Sequence, residues 1–274
     1  MEIVPFEDAD SFLQTAMPFL LREEAANNLI LGVVAGAARG DYDKLIGWTV
    51  IDGDEIVTAA ARTPPQGLIL ARTQSLEGVD ALATATPEVP GIIGALPEVD
   101  WFARHRSTLV RKFRQGIYKL SEVHVPIEPG SRRATSDERD LLLTWMIAFM
   151  EEVSGEEADP EAANRNLERR LEEADDVAGV WIHETDSAIV CMSAYSGPTP
   201  NGIRIGPVYT PVEHRARGYA SRLVAAQSQW LIDNGNQFCF LYTDLDNSTS
   251  NAIYQRIGYR IVCESAEYSF SRSL

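Results

Sequence analysis

Polar and apolar positions alternate along the chain in two rounds of one pattern. In the second round, Leu141, Leu142, Trp145, Met146, Phe149 and Met150 form one apolar stripe at helical spacing, which predicts a helix over 140–155. Thr135 with Glu138 three residues on has the form of a capping box at its start. A charged stretch, PEAANRNLERRLEEADD (160–176), reads as a second helix. Strand-like runs follow at 177–184, 187–195 and 202–210, then a long helix over 217–235 that stops at Gly235. A strand at 237–245, a short helix near 250–257 and a final strand pair, 258–265 with 266–271, complete the round.

The first round is a fainter copy. The stretch 10–36 reads as helical, and strands are expected at 45–52, 55–63 and 67–73. A helix at 75–89, a strand at 91–96, a helix at 97–110 and a strand at 116–125 follow. The repeated order implies an internal duplication and an α/β fold with a mixed sheet. Pro126, Pro129 and Gly130 break regular structure between the rounds, so 125–140 reads as a linker. The expected domains are 1–128 and 129–274.

Composition narrows the function classes. The chain has 274 residues, 45% hydrophobic and 23% charged, ordinary globular values. Net charge is −16, which repels nucleic acid and suits a cationic or amine-bearing substrate. No apolar run is long enough to span a bilayer, and the acidic first thirty residues do not resemble a signal peptide, so a cytoplasmic protein with no membrane partner is expected. Cys191, Cys239 and Cys263 lie in apolar contexts and read as free buried thiols. The four histidines lack metal-ligand spacing, and no metal is expected.

One stretch stands out chemically. VYTPVEHRARGYAS (208–221) ends a strand, places His214, Arg215 and Arg217 in a turn, and opens a helix at Gly218. A helix start leaves N–H groups unpaired and carries partial positive charge. The small residues Ala216, Gly218 and Ala220 let an anion approach the backbone, and the arginines add charged donors. Together they fit a diphosphate. The GxxxxGK[ST] loop and the GxGxxG fingerprint are both missing.

The pattern Arg215-x-x-Gly218-x-Ala220 after a strand resembles the acyl-CoA-binding motif of the GNAT superfamily of N-acetyltransferases. NSTSNAIYQRIGY (247–259) is similar to that family's second hallmark, and the resemblance covers about 132–274. It implies a mixed, mostly antiparallel sheet flanked by helices, as two tandem GNAT-like domains; in the matching place of the first half, after GLILART, QSLEGVDALATA lacks the Arg-x-x-Gly-x-Ala pattern, so no CoA site is expected there. It further implies acetyl-CoA as acyl donor and a primary amine of a small molecule or protein as acceptor, joined in a ternary complex. Val208, Tyr209 and Thr210 would face pantetheine, with the Val208 N–H polarising the thioester. Backbone from Ala216 through Arg217, Gly218, Tyr219 and Ala220 to Ser221 would hold the diphosphate beside Arg215 and Arg217. Asn247 and Asn251 would contact the CoA arm, although Asn247 reads equally as a helix N-cap.

Tyr254 falls where the family often places the proton donor to the leaving thiolate; its alternative reading is a core aromatic on a short helix. Several family members carry a glutamate as base where this chain has Arg204. Glu151, Glu152, Glu156, Asp244, Asp246 and a water chain stay open as substitutes, while EEVSGEEADPE (151–161) reads as a solvated face or an amine-attracting rim. A non-catalytic acyl-CoA-binding regulator and a tandem aminoacyl transferase stand as alternatives. Acyl length, acceptor identity and homodimerisation are left open.

Overall fold

The computed structural model describes residues 1–271 except 87, 107, 108 and 187, and the side chains of 110–112 are likewise outside the description. Pro87, Ser107, Thr108 and Ser187 fall within expected elements and lie outside the described residues. The chain forms β1 (Glu2–Phe6), α1 (Ala9–Leu20), α2 (Asn28–Arg39), β2 (Ile46–Asp52), β3 (Glu55–Arg62), β4 (Leu68–Leu70), α3 (Leu76–Ala85), β5 (Gly91–Ala95), α4 (Glu98–Ala103) and β6 (Leu109–Leu120). It then repeats that order: β7 (Ser131–Arg133), α5 (Arg139–Ser154), α6 (Pro160–Glu172), β8 (Ala178–Thr185), β9 (Ala188–Ser196), β10 (Gly202–Tyr209), α7 (Tyr219–Asp233), β11 (Phe238–Asp244), α8 (Ser248–Ile257) and β12 (Arg260–Phe270). Both rounds read βααβββαβαβ.

Two compact units result, and neither is continuous in sequence. The first comprises Met1–Tyr118, Tyr242–Ser248 and Ile261–Leu274; the second comprises Lys119–Leu241 and Thr249–Arg260. The strand that closes the second round is therefore built into the first unit, where β12 pairs antiparallel with β5.

In the first unit the strands run β1-β2-β3-β4-β5-β12-β6. The described pairings are antiparallel except β4 with β5, which are parallel. Side chains alternate across a strand, and β3 uses both faces. Ala59 and Ala61 join Phe12, Leu20, Ile30 and Val34 of α1 and α2. Ala60 joins Val79 and Leu82 of α3 and Val99 and Phe102 of α4. Small residues there let helices cover the sheet closely on both sides.

In the second unit the strands run β11-β10-β9-β8-β7, antiparallel except β10 with β11, again parallel. Val180 and Ile182 of β8 with Met192 and Ala194 of β9 pack against Leu142, Trp145 and Leu167 of α5 and α6. The alternate residues turn to α7: Trp181 and Tyr195 lie 5.5 and 6.2 Å from Trp230, ring centre to ring centre. The Ser193 hydroxyl donates to the Gln227 side-chain carbonyl at 2.5 Å. The Thr135–Glu138 capping box is present, on a short 3-10 turn that leads into α5.

Four sequence expectations are corrected. The final strand pair is one strand, since 260–270 contains no Gly, Pro, Asn or Asp to turn the chain and Ser265 is fully buried within it. The helix expected over 97–110 ends at Ala103, where the polar run Arg104–Arg106 interrupts apolar periodicity. Part of the linker forms β7, with Ser131–Arg133 opposite His183–Trp181. β1 was not expected; Glu2–Phe6 pairs with Ile51–Gly47.

Candidate active site

The site-bearing elements of the second unit are β10, the turn 210–218 and α7. β10 pairs with β11 only from Gly202 to Ile205, opposite Phe238–Leu241, although it runs on to Tyr209. The cause is a bulge: against β9 the register shifts between Ile205 and Val208. Gly206, at φ +140°, occupies that bulge in a conformation L side chains rarely adopt. Pro207 beside it has no N–H to give a ladder. Pro207, Val208 and Tyr209 therefore form a strand end released from its parallel neighbour among the described residues.

A short 3-10 turn over Val212–His214 follows, and the backbone then enters the left-handed region twice, at Ala216 (φ +60°) and Gly218 (φ +80°). Gly218 is the N-cap of α7 and supplies no side-chain cap. The first backbone bond into the helix is Arg222 N–H to the Gly218 carbonyl, 3.1 Å. Among the described residues, no protein acceptor meets the N–H groups of Ala216, Arg217, Gly218, Tyr219, Ala220 or Ser221. Six consecutive donors thus gather at the positive end of a fifteen-residue helix. A Cβ placed on Gly218 would meet no atom within 4 Å, so the space above the turn is open.

The three arginines here behave differently. Arg215 donates Nε to the Thr210 carbonyl at 2.8 Å and Nη2 to Glu152 at 2.5 Å, and lies 5.8 Å over the Tyr209 ring. The Glu152 carboxylate holds the guanidinium above its usual range. Arg222 pairs with Glu128 at 2.7 Å. Arg217 is exposed and has no ion pair among the described residues. Of the sequence-predicted arginines, Arg217 alone keeps its charge unshared at the turn, while Arg215 ties the turn to the end of α5.

Behind the helix start, the buried His183 ring stacks at 5.6 Å on Tyr219. Its Nδ1 lies 2.9 Å from the Ser131 hydroxyl. Burial lowers its pKa, with Arg222 adding to the shift and Glu128 opposing it.

Tyr254 sits on α8 with its ring edge-on to Tyr259, centres 6.0 Å apart. Part of its surface is accessible, yet protein crowds the hydroxyl enough that desolvation pushes its pKa up to about 12. Asn251 lies on the same helix. Asn247 precedes it within the first unit, its N–H bonded to the Asp244 carbonyl at 3.1 Å. Of the other carboxylates weighed as bases, Asp244 accepts the Asp246 N–H at 2.9 Å, and Glu151 and Glu156 are exposed. Arg204 opposes Ser196 and Phe240 in the sheet. Burial raises the thiol of Cys191 to about 12 and that of Cys263 to about 11; Cys239 is raised too. All three thiols are free. Among the described residues no group of three or more His, Cys, Asp or Glu is placed to hold a metal ion, and no helix is long and apolar enough to cross a membrane.

Sequence reasoning missed the partners Glu128 of Arg222 and Glu152 of Arg215. Nothing local signals either; Glu152 lies 63 residues from Arg215. The bulge was signalled by Gly-Pro inside an otherwise continuous strand pattern.

Comparison with known proteins agrees with this architecture. A family model described as FR47-like protein matches residues 198–268. No curated protein matches the sequence. A solved Drosophila protein shares 15% identity over 98% of each chain, with a TM-score of 0.63. An acetyltransferase of the GNAT family from Colwellia psychrerythraea shares 12% over 99% of this chain and 100% of its own, TM-score 0.58. A tandem GNAT protein from the clavulanic acid biosynthesis pathway shares 11% over the whole of both chains, TM-score 0.57.

Proposed function

Because the chain has the tandem GNAT fold, we propose that its second unit is an acyl-CoA-dependent N-acetyltransferase, moving an acetyl group from acetyl-CoA to a primary amine of a small molecule or protein. The observation that carries this reading is the run of six N–H donors from Ala216 to Ser221 without a protein acceptor among the described residues. Such donors at a helix start, beside a free Arg217, suit the diphosphate of CoA. In this reading the released strand end at Val208–Thr210 takes the pantetheine arm, with the Val208 N–H set to stabilise the developing oxyanion. Asn251 serves the same arm. The first unit binds no CoA in this reading.

Tyr254 is the proton donor to the departing thiolate. With a pKa of about 12 it stays protonated at physiological pH. Tyr254→Phe is expected to lower turnover about 100-fold with near-normal CoA affinity; an unaltered rate removes Tyr254 from the mechanism.

The reading is tested by titrating CoA calorimetrically, then following thiol release from acetyl-CoA with a panel of primary amines. Saturable binding with amine-dependent thiol release is expected. Absence of CoA binding overturns the assignment. A second reading, a non-catalytic acyl-CoA-binding protein, draws on Arg204 standing where the family resemblance places a glutamate and on Glu152 being engaged by Arg215. CoA binding without thiol release from any amine would favour it.

A further inference from the structure

Two of the three arginines around the phosphate turn are held by carboxylates from outside it. Arg222 takes Glu128, from the segment before β7, and Arg215 takes Glu152, from the last turn of α5. The Arg215 pair bears directly on the turn, because the same guanidinium also donates to the Thr210 carbonyl. Its Nη2 points at Glu152 (2.5 Å). Both side chains are partly open to solvent, at 40% and 53% of their area. Pairs of that exposure exchange partners easily, because water and screening leave them only weakly bound.

We propose that Glu152 is an internal competitor for the acyl-CoA diphosphate: it neutralises Arg215 while the turn holds no anion, and it yields when the diphosphate seats. This inference rests on the acyl-CoA reading above. The exchange conserves charge. Arg215–Glu152 and a free diphosphate become Arg215–diphosphate and a free Glu152 carboxylate. The guanidinium is a rigid plane, so it reaches the phosphate by pivoting as a whole about its Nε–H bond to the Thr210 carbonyl, which keeps the turn in register. Glu152 therefore sets cofactor affinity without touching the reacting atoms. A second consequence is order. The Glu152 carboxylate becomes available to a cationic acceptor only after the acyl-CoA is bound.

A double-mutant cycle with CoA and, separately, inorganic pyrophosphate as probes tests the exchange. Glu152→Gln keeps the size of the side chain and removes its charge. In the native background it should tighten CoA about two- to five-fold, the range open to an exposed ion pair, and pyrophosphate similarly. In the Arg215→Gln background the same substitution should change neither affinity. Unaltered or weakened CoA binding by Glu152→Gln overturns the proposal. Equal tightening in both backgrounds also overturns it, since that result marks a general field effect of one removed negative charge. A native protein that does not bind CoA removes the acyl-CoA reading itself, whereas native binding without tightening removes only the competitor role.

Discussion

The corner between β4 and α3 and the corner between β10 and α7 occupy the same place in two rounds of one element order, and they treat their backbone donors in opposite ways. At the first, the Arg72 N–H goes to the Asn27 side chain at 2.7 Å and the Thr73 N–H to Glu98 at 3.1 Å. The Ser75 N–H goes to the Thr73 hydroxyl and the Gly78 N–H to the Ser75 hydroxyl, each at 3.0 Å. Glu98, 1% exposed, also takes the Arg72 guanidinium at 3.0 Å. The protein's own carboxylate thus stands at the helix start. At the second corner six donors meet no protein acceptor among the described residues. A corner that answers its own helix dipole is structure; one that leaves it unanswered suits an external anion.

The largest effect is expected from breaking the closed corner. Glu98→Ala strips a nearly buried carboxylate from Arg72 and from the Thr73 N–H, which should cost about 3 kcal/mol of stability, read by urea denaturation. The substitution should not create CoA binding in the first unit, because no run of free donors replaces it. A loss under 1 kcal/mol would show that the corner closes without its carboxylate.

The matching change at the open corner acts on binding. Gly218→Glu forces an L side chain to φ +80° and sets a negative charge on the diphosphate's approach. CoA affinity should fall more than 100-fold, while stability drops by only about 1–2 kcal/mol, since a Cβ there has open space. Calorimetry and thermal melting separate the two quantities. Unchanged affinity would sink the phosphate assignment.

The contrast between the corners was partly legible in sequence. Small residues at 216, 218 and 220 beside two arginines announced the open one, because such a pattern is local along the chain. The closed one was legible only as the lack of that motif. Asn27 and Glu98, which close it, come from 45 and 25 residues away, and no periodicity encodes such partners. Element order was readable wherever apolar spacing was long and bounded by Gly or Pro. It failed for β1, a five-residue strand containing Pro5, and for β7, a polar three-residue strand. Neither carries a hydrophobic alternation, and both exist because a neighbouring strand offers an edge. The same limit hid Glu152: the sequence offered it as a base, whereas the fold hands it to Arg215.

Acid should distinguish the corners as well. His183 backs the open corner through Tyr219, and its folded pKa lies below the ordinary 6.5. The folded state thus prefers neutral imidazole. The associated stability is complete above about pH 6.5 and is lost as pH falls through that value toward the folded pKa. Arg222 and Glu128 face His183 with opposite effects, so His183→Gln, which keeps a donor for Ser131, should flatten the fall of stability as pH drops below about 6.5. A slope unchanged by the substitution would place the acid sensitivity elsewhere.

The smallest effect concerns Ala216, a non-glycine residue held at φ +60°. That conformation costs an alanine about 1–2 kcal/mol, and Gly substitution should return roughly 0.5–1 kcal/mol after the greater freedom of glycine in the unfolded chain is subtracted. Nothing comparable strains the closed corner, where Ser75 sits at φ −96° as an ordinary N-cap. If the strain exists to aim the Ala216 and Arg217 N–H groups, Ala216→Gly should raise the melting temperature and weaken CoA binding about two-fold, because the turn then samples other conformations when empty. Raised stability with undiminished affinity would mean that Gly218 and the start of α7 suffice to shape the cradle, and that the strain at Ala216 follows from chain direction alone.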